Sequence, residues 1–253
     1  MRWLKRSSPM VACGLSLSTA VWAQDHGMRF AIELEAGAVW QSRNDVRIPN
    51  DGRATQFSIV DLVGPGPWPA LRAYLTWNIG ARHALRGLAA PLRYTDSGVF
   101  ADTVGFAGRN FIPGSPTQAT YKFNSFRLTY RYRFLSNRHW RWWIGFTAKI
   151  RDARVALTQG SVAAEDTDVG FVPLLHVSGA YVLTDRWRIT LDVDALAGGP
   201  GRAEDVATKV AYSVSERWIL AAGYRTLEGG ADVDAVFAFA WLHYAAVSAL
   251  YRF

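Results

Sequence analysis

The sequence predicts an all-β fold: a single antiparallel β-barrel that crosses a membrane with its strands. Three observations lead there. From residue 28 onward, apolar and polar side chains alternate with the two-residue period of a strand. The alternating segments are joined by very short polar turns at one end and by longer, acid-rich connections at the other, the asymmetry of a membrane barrel. Of the 253 residues, 13% are aromatic and only 19% are charged, below the roughly 25% charged of typical soluble domains. The same composition excludes a disordered chain, which would be aromatic-poor. One cysteine excludes a disulfide framework and a Cys-based zinc site. No run approaches the ~18 consecutive apolar residues of a spanning helix.

The N-terminus reads as an address. Arg2, Lys5 and Arg6 precede a mostly apolar stretch from Met10 to Trp22, and Val21-Trp22-Ala23 ends in the small residue a signal peptidase needs. Residues 1–23 are expected to be a cleavable signal peptide and residues 24–253 the barrel. Met10-Val11-Ala12-Cys13 loosely matches a lipoprotein box, but most of the apolar sequence follows Cys13 instead of preceding it. Cleavage removes three basic residues and no acidic ones. The formal charge of +7 becomes 25 basic against 21 acidic residues, a net +4, so the basic balance gives little support to a nucleic-acid partner.

The strands follow in order. The clearest is Phe126-Arg127-Leu128-Thr129-Tyr130-Arg131-Tyr132-Arg133-Phe134, apolar on even positions and Arg or Thr on odd ones. Ten segments are expected, at 28–40, 70–79, 83–95, 119–135, 139–157, 169–183, 186–197, 206–214, 217–228 and 236–253, with eight or twelve the alternatives. Each covers the ~9–11 residues of a tilted crossing. The long connections are expected at 41–69, 96–118, 159–168, 198–205 and 229–235. Phe57 to Val63 looks strand-like but breaks the even count, which assigns it to the first long loop. A local pattern recurs at the short turns: aromatic, any, apolar, small, any, Arg, then His or Trp. It runs Trp77 to His83, Tyr181 to Trp187 and Tyr212 to Trp218, with a longer copy from Tyr132 to His139. Parity places Trp77, Tyr132, Trp140, Tyr181, Trp187, Tyr212 and Trp218 on the apolar face, as an aromatic girdle would be.

The chain ends with Val247, Ala249, Tyr251 and Phe253 on one face, Phe being last. This resembles the C-terminal assembly signal of Gram-negative outer-membrane β-barrels. The resemblance spans essentially the whole mature chain. It implies the cell outer membrane, short periplasmic turns, longer extracellular loops, and lipid, lipopolysaccharide and the barrel-assembly machinery as partners. It implies no particular activity, because pores, enzymes, adhesins and plugged barrels share that class. No cofactor or metal is expected, and an extracellular ligand cannot be named from sequence.

Parity also assigns the lumen. Arg72, Arg86, Arg127, Arg131, Arg133, Arg141, Lys149, Arg151, Arg188, Lys209 and Arg225 fall inward, against Glu33, Glu35, Asp192 and Asp194. Buried charges must pair or face water, and four acids cannot pair singly with eleven bases. One reading is a packed lumen locked by arginine–carboxylate clusters, with a structural or interaction role. Another is a narrow basic passage for small anions, centred on Arg127, Arg131, Arg133, Lys149 and Arg151. A third is an enzyme: His176-Val177-Ser178 resembles the His-x-Ser pair of the lipid A deacylases, with Asp192 or Asp194 as orienter. An omptin-like protease would need acids and a His at the loop-side rim. Asp232, Asp234 and His243 lie there, but parity turns His243 outward with Trp241.

Overall fold

A computed structural model describes residues 28–199 and 201–253. The expected signal peptide and Cys13 lie outside the described residues. The barrel wall is ten antiparallel strands: β1 (Phe30–Arg47), β2 (Trp68–Ile79), β3 (His83–Ala90), β4 (Pro116–Ser136), β5 (Trp140–Gln159), β6 (Val162–Val182), β7 (Trp187–Gly198), β8 (Gly201–Ser213), β9 (Trp218–Val233) and β10 (Val236–Arg252). Each pairs with its sequence neighbour, and β10 pairs with β1, so the sheet closes. Closure gives every strand a hydrogen-bonded neighbour on both sides over at least part of its length, which is what lets strands cross a bilayer.

The parity follows the sequence. Phe126, Leu128 and Tyr130 point outward, while Ser125, Arg127 and Thr129 are buried within. On β10, Trp241 and Val247 face out; Leu242, Tyr244 and Ser248 face in. The recurring turn pattern has a structural cause. Its small polar residue caps the turn: Asn137 Oδ1, Thr184 Oγ1 and Ser215 Oγ accept from the amides of Trp140, Trp187 and Trp218 at 2.8, 3.1 and 3.1 Å. Its arginine reaches the tyrosine of the next strand, from Arg82 to Tyr132, Arg186 to Tyr212 and Arg217 to Tyr251 at 3.1, 3.1 and 3.5 Å. The ring after that arginine packs on the same tyrosine, with centroids 4.7 Å apart for Trp187–Tyr212 and 4.8 Å for Trp218–Tyr251. Each turn is thereby fixed to its neighbour at the girdle.

The other end differs from expectation in three places. Residues 159–168, 198–205 and 229–235 are largely strand, because β5–β6, β7–β8 and β9–β10 run on as long hairpins with tight tips. Alternation is weak there, since neither face is uniformly apolar. Only two connections are long. Residues 48–67 hold a short strand, Phe57–Ser58, and a helix, α1 (Ile59–Val63), capped by Ser58. Residues 91–115 hold Arg93–Val99, which continues beside β4, and a small hairpin of Val104–Phe106 with Arg109–Phe111.

Both long connections fold onto the barrel mouth. Phe57, Ile59, Leu62, Phe100, Phe106 and Phe111 are buried against Val39, Tyr121, Leu157, Leu242 and Tyr244 of the wall. A β-bulge between Gln41 and Arg43 turns both Gln41 and Asn44 inward. Gln41 donates to Gly64 O at 2.8 Å and accepts from Tyr94 at 2.6 Å, which ties the first connection to the second. The upper lumen is therefore an apolar core and the lower lumen a polar one.

An arginine in place of Leu128, on the outward face of the wall, is expected to destabilise the barrel by about 2–4 kcal/mol if that face meets lipid near mid-bilayer. Reversible urea unfolding in lipid vesicles measures it; a cost near zero would mean the face is not in hydrocarbon.

Candidate functional site

Inward positions at mid-height carry the charge, and five carboxylates organise it. Asp205, on β8, receives Arg72 Nη2 at 3.0 Å, Arg127 Nη2 at 2.7 Å and Arg225 Nη1 at 2.5 Å. Glu35, on β1, faces Arg225 at 3.2 Å and Arg72 at 3.6 Å, and also takes Lys209. Glu33 holds the same Lys209 at 2.8 Å. Asp192 grips Arg86 through two bonds of 2.6 and 2.9 Å. Asp194 accepts from Arg127 and Thr147, each at 2.8 Å. The Tyr74 hydroxyl accepts from Arg72 at 3.0 Å and Arg225 at 2.8 Å. These groups come from strands on all sides of the barrel, and Glu35, Arg72, Arg127, Asp194, Asp205 and Arg225 are buried.

Asp205 is the residue that sequence reasoning missed. It was expected in a connection at 198–205, yet it lies on β8. A signal was present: Asp205 shares parity with Ala207, Lys209 and Ala211, all inward or lumen-lining. Extending the alternation two residues upward finds it.

The His-x-Ser pair forms a relay, with a correction. His176 Nδ1 lies 2.8 Å from Asp194 Oδ1 and Nε2 lies 3.0 Å from Ser178 Oγ. The orienting carboxylate is Asp194, not Asp192, because Asp194 is directly opposite His176 in the β6–β7 register while Asp192 is opposite Ser178 and is taken by Arg86. The carboxylate takes a hydrogen from Nδ1, which turns Nε2 toward the serine hydroxyl. His176 is wholly buried. His176, Asp192 and Asp194 bring ligand atoms within 4.8 Å of one another. However, both imidazole nitrogens and both carboxylates are already engaged, and the adjacent guanidiniums supply the charge a cation would bring.

Two cavities flank the charged layer and share no lining residue. The one toward the short turns, about 260 Å³, is lined by Arg86, Arg131, Arg133, Arg141, Arg188 and Ser178 among others. Arg131 stacks on Trp143 at 5.9 Å, and its Nε is buried with no hydrogen-bond partner. Arg133 bonds the Ala81 carbonyl and Arg188 the Ser213 hydroxyl. The cavity toward the loops, about 450 Å³, is lined by Tyr121, Phe123, Lys149, Arg151, Phe171, Leu196 and Phe239 among others. Arg151 pairs with Asp168 there. Thus the five residues expected to form one anion site divide: Arg131 and Arg133 below the layer, Arg127 within it, Lys149 and Arg151 above it.

At the rim, His243 faces outward beside Trp241 and bonds Tyr224 and Ser42. Asp232 accepts from Asn50 at 2.9 Å. The rim residues do not converge with a histidine.

No family model matches the sequence, and no curated protein matches it. Among solved structures, the outer-membrane protease OmpT of Escherichia coli superposes with a TM-score of 0.55 at 11% identity, over 89% of this chain and 97% of that one. Ail, the attachment invasion locus protein of Yersinia pestis, in complex with the heparin analogue sucrose octasulfate, gives 0.41 at 11% identity, over 89% and 100%. Neisserial surface protein A gives 0.38 at 13% identity, over 88% and 97%. The likeness to OmpT is one of fold, and that fold is the outer-membrane β-barrel.

Replacing Asp205 with Asn leaves Arg72, Arg127 and Arg225 to share the remaining carboxylates. Breaking a buried pair in this way costs about 3–5 kcal/mol. Urea unfolding should show that loss; a change under ~1 kcal/mol would mean water screens the layer.

Proposed function

We propose that the chain is an outer-membrane barrel that neither conducts nor catalyses, and whose role is structural or binding at its external, loop-bearing face. The observation that carries this is the charged layer: two cavities, one on each side, are separated by paired, buried side chains. A ten-strand barrel has little bore to spare once long side chains fill it. The short-turn end, where both terminal strands finish, is read as periplasmic. Lipid and lipopolysaccharide surround the apolar face, and the outward Val247, Ala249, Tyr251 and Phe253 are offered to the assembly machinery. Refolded protein in a planar bilayer under a salt gradient should stay silent, with insertion verified by heat-shifted gel mobility. Steady openings with an anion-biased reversal potential, shifted by Arg131→Glu, would replace this reading with that of a narrow anion channel.

A second reading rests on the Asp194–His176–Ser178 relay, whose serine borders the lower cavity. That is the arrangement that activates a serine nucleophile. It ranks second because Asp194 also anchors Arg127 and Thr147, so the relay already serves the layer. The neighbouring strand amides are committed to the sheet ladder and offer no ready oxyanion hole. A fluorophosphonate probe should leave the folded barrel unlabelled; labelling that Ser178→Ala abolishes would establish the hydrolase.

A further inference from the structure

The wall is incomplete in one place. β6 pairs with β5 from Val162 to Tyr181, but with β7 only from Leu175 to Val182. Its edge from Val162 to Leu174 has no strand beside it among the described residues. A comparable gap, between the upper part of β2 and Arg93–Val99, is filled by α1, whose Leu62 backbone sits so close to Gly98 that a Cβ there would not fit. Among the described residues no strand or helix lies along the β6–β7 seam.

The lower end of this edge, from Val169 to Leu174, continues the apolar outward face of the wall. Val169 and Phe171 on β6 are 70% and 65% exposed and have the outward parity of Leu175. Yet Phe171 also lines the upper cavity, with Val172 and Pro173 on one side of the seam and Leu196 and Gly198 on the other. Unpaired backbone is costly against lipid, and Pro173 removes one amide donor from this edge.

Immediately inside stands Lys149, the cross-strand partner of Val172. It is 3% exposed and lies over the Phe123 ring at 5.0 Å. Among the described residues no carboxylate is within ion-pair distance of it, whereas Lys209 has two. A buried ammonium without a counter-charge is unfavourable, and this one faces a cavity that Tyr121, Val155 and Leu227 line on its apolar side, the Arg151–Asp168 and Arg202–Glu228 pairs being charged parts of its wall.

We propose that the upper cavity is a binding site for a single-chain amphiphile with an anionic head, a fatty-acid carboxylate being the simplest. The head pairs with Lys149, the chain lies among the aromatic and aliphatic walls, and the seam at Phe171 lets the chain reach the outer leaflet. The cavity volume of about 450 Å³ falls within the roughly 300–1,000 Å³ of small-molecule sites. The proposal rests on the lumen being closed below this cavity.

The test is calorimetric titration of the full barrel in phosphatidylcholine nanodiscs with dodecanoate, and with dodecylammonium as the charge control. Saturable uptake of dodecanoate near one per barrel is expected, with none of the cation. Lys149→Met should weaken it by about tenfold or more, the scale of one contact to a charged group. Ala153→Trp, which fills the cavity, should abolish binding, and Phe171→Ser should weaken dodecanoate more than octanoate; heat-shifted mobility verifies folding of each variant. Equal affinity for wild type and Lys149→Met, or uptake no greater than that of empty nanodiscs, overturns the proposal. Native mass spectrometry of barrel purified from its own membrane separates the sources: a free fatty acid, or the acyl chain of a phosphate-bearing lipid. A conducting barrel that still binds dodecanoate would sink the closed-lumen reading and keep this one. A silent barrel that binds none would do the reverse.

Discussion

Asp205, shared by three guanidiniums, is the contact on which the lumen depends. A ten-strand barrel is wide enough to need filling and too narrow to stay open once filled by long side chains. Arginine reaches the axis from any strand, but an arginine at the axis needs an anion, because desolvating it alone costs more than its packing returns. Asp205 and Glu35 meet that need from β8 and β1, on well-separated parts of the wall, for arginines on β2, β4 and β9. The layer is thus a set of cross-braces between strands far apart around the wall. It also fixes the histidine relay: Asp194 holds His176 and Arg127 together, so the imidazole cannot turn without disturbing the brace.

The upper lumen solves the same filling problem by other means. There the two long connections bring apolar side chains into the mouth, and the wall answers with Val39, Leu157, Leu242 and Tyr244 in place of charge. The change of chemistry along the axis coincides with the bulge at Gln41 and Arg43, where β1 re-aims its side chains. Gln41 and Asn44 then form a polar clasp with Tyr94 that holds both connections. Lys149 stands at the boundary between the two regimes, above the carboxylates and below the apolar cap. That position accounts for its lack of an ionic partner.

The wall was legible because one physical rule writes it: lipid outside and packing inside impose a two-residue period on every crossing. Trp140, Trp187 and Trp218 mark the turn ends for a related reason, since each covers a tyrosine on the next strand. Where the rule lapses, sequence reading lost resolution. Above the belt the hairpins meet water on both faces, so Glu165, Asp166 and Asp168 read as loop although they stand on β6. Asp205 was lost to the same boundary, one step beyond the segment where alternation is clean. Phe57 to Val63 looked like a strand because Phe57, Ile59 and Leu62 are all buried, but they are buried by a short helix whose start is fixed by Ser58. The lumen charges were found by parity, but their partners were not, because pairing across the bore links strands far apart in sequence.

The two ends of the barrel therefore satisfy the backbone differently. At the short turns every strand is paired to its end; three turns are clamped by an arginine, a tyrosine and an aromatic ring, and the turn before Trp140 by His139 and Trp140 against Tyr181. At the loop end the strands outrun their partners, and each surplus edge must be covered. The first connection covers the edge beside β2 with α1, packed so closely that Gly98 has no room for a side chain. Among the described residues the edge of β6 has no such cover, and it ends beside Lys149, a buried ammonium outside the charged layer. An unpaired edge, a cavity with an apolar side and a buried cation occupy the same level of the same strand pair. The proposed amphiphile would answer all three: its chain enters by the edge, lies along the apolar side and brings the ammonium its anion.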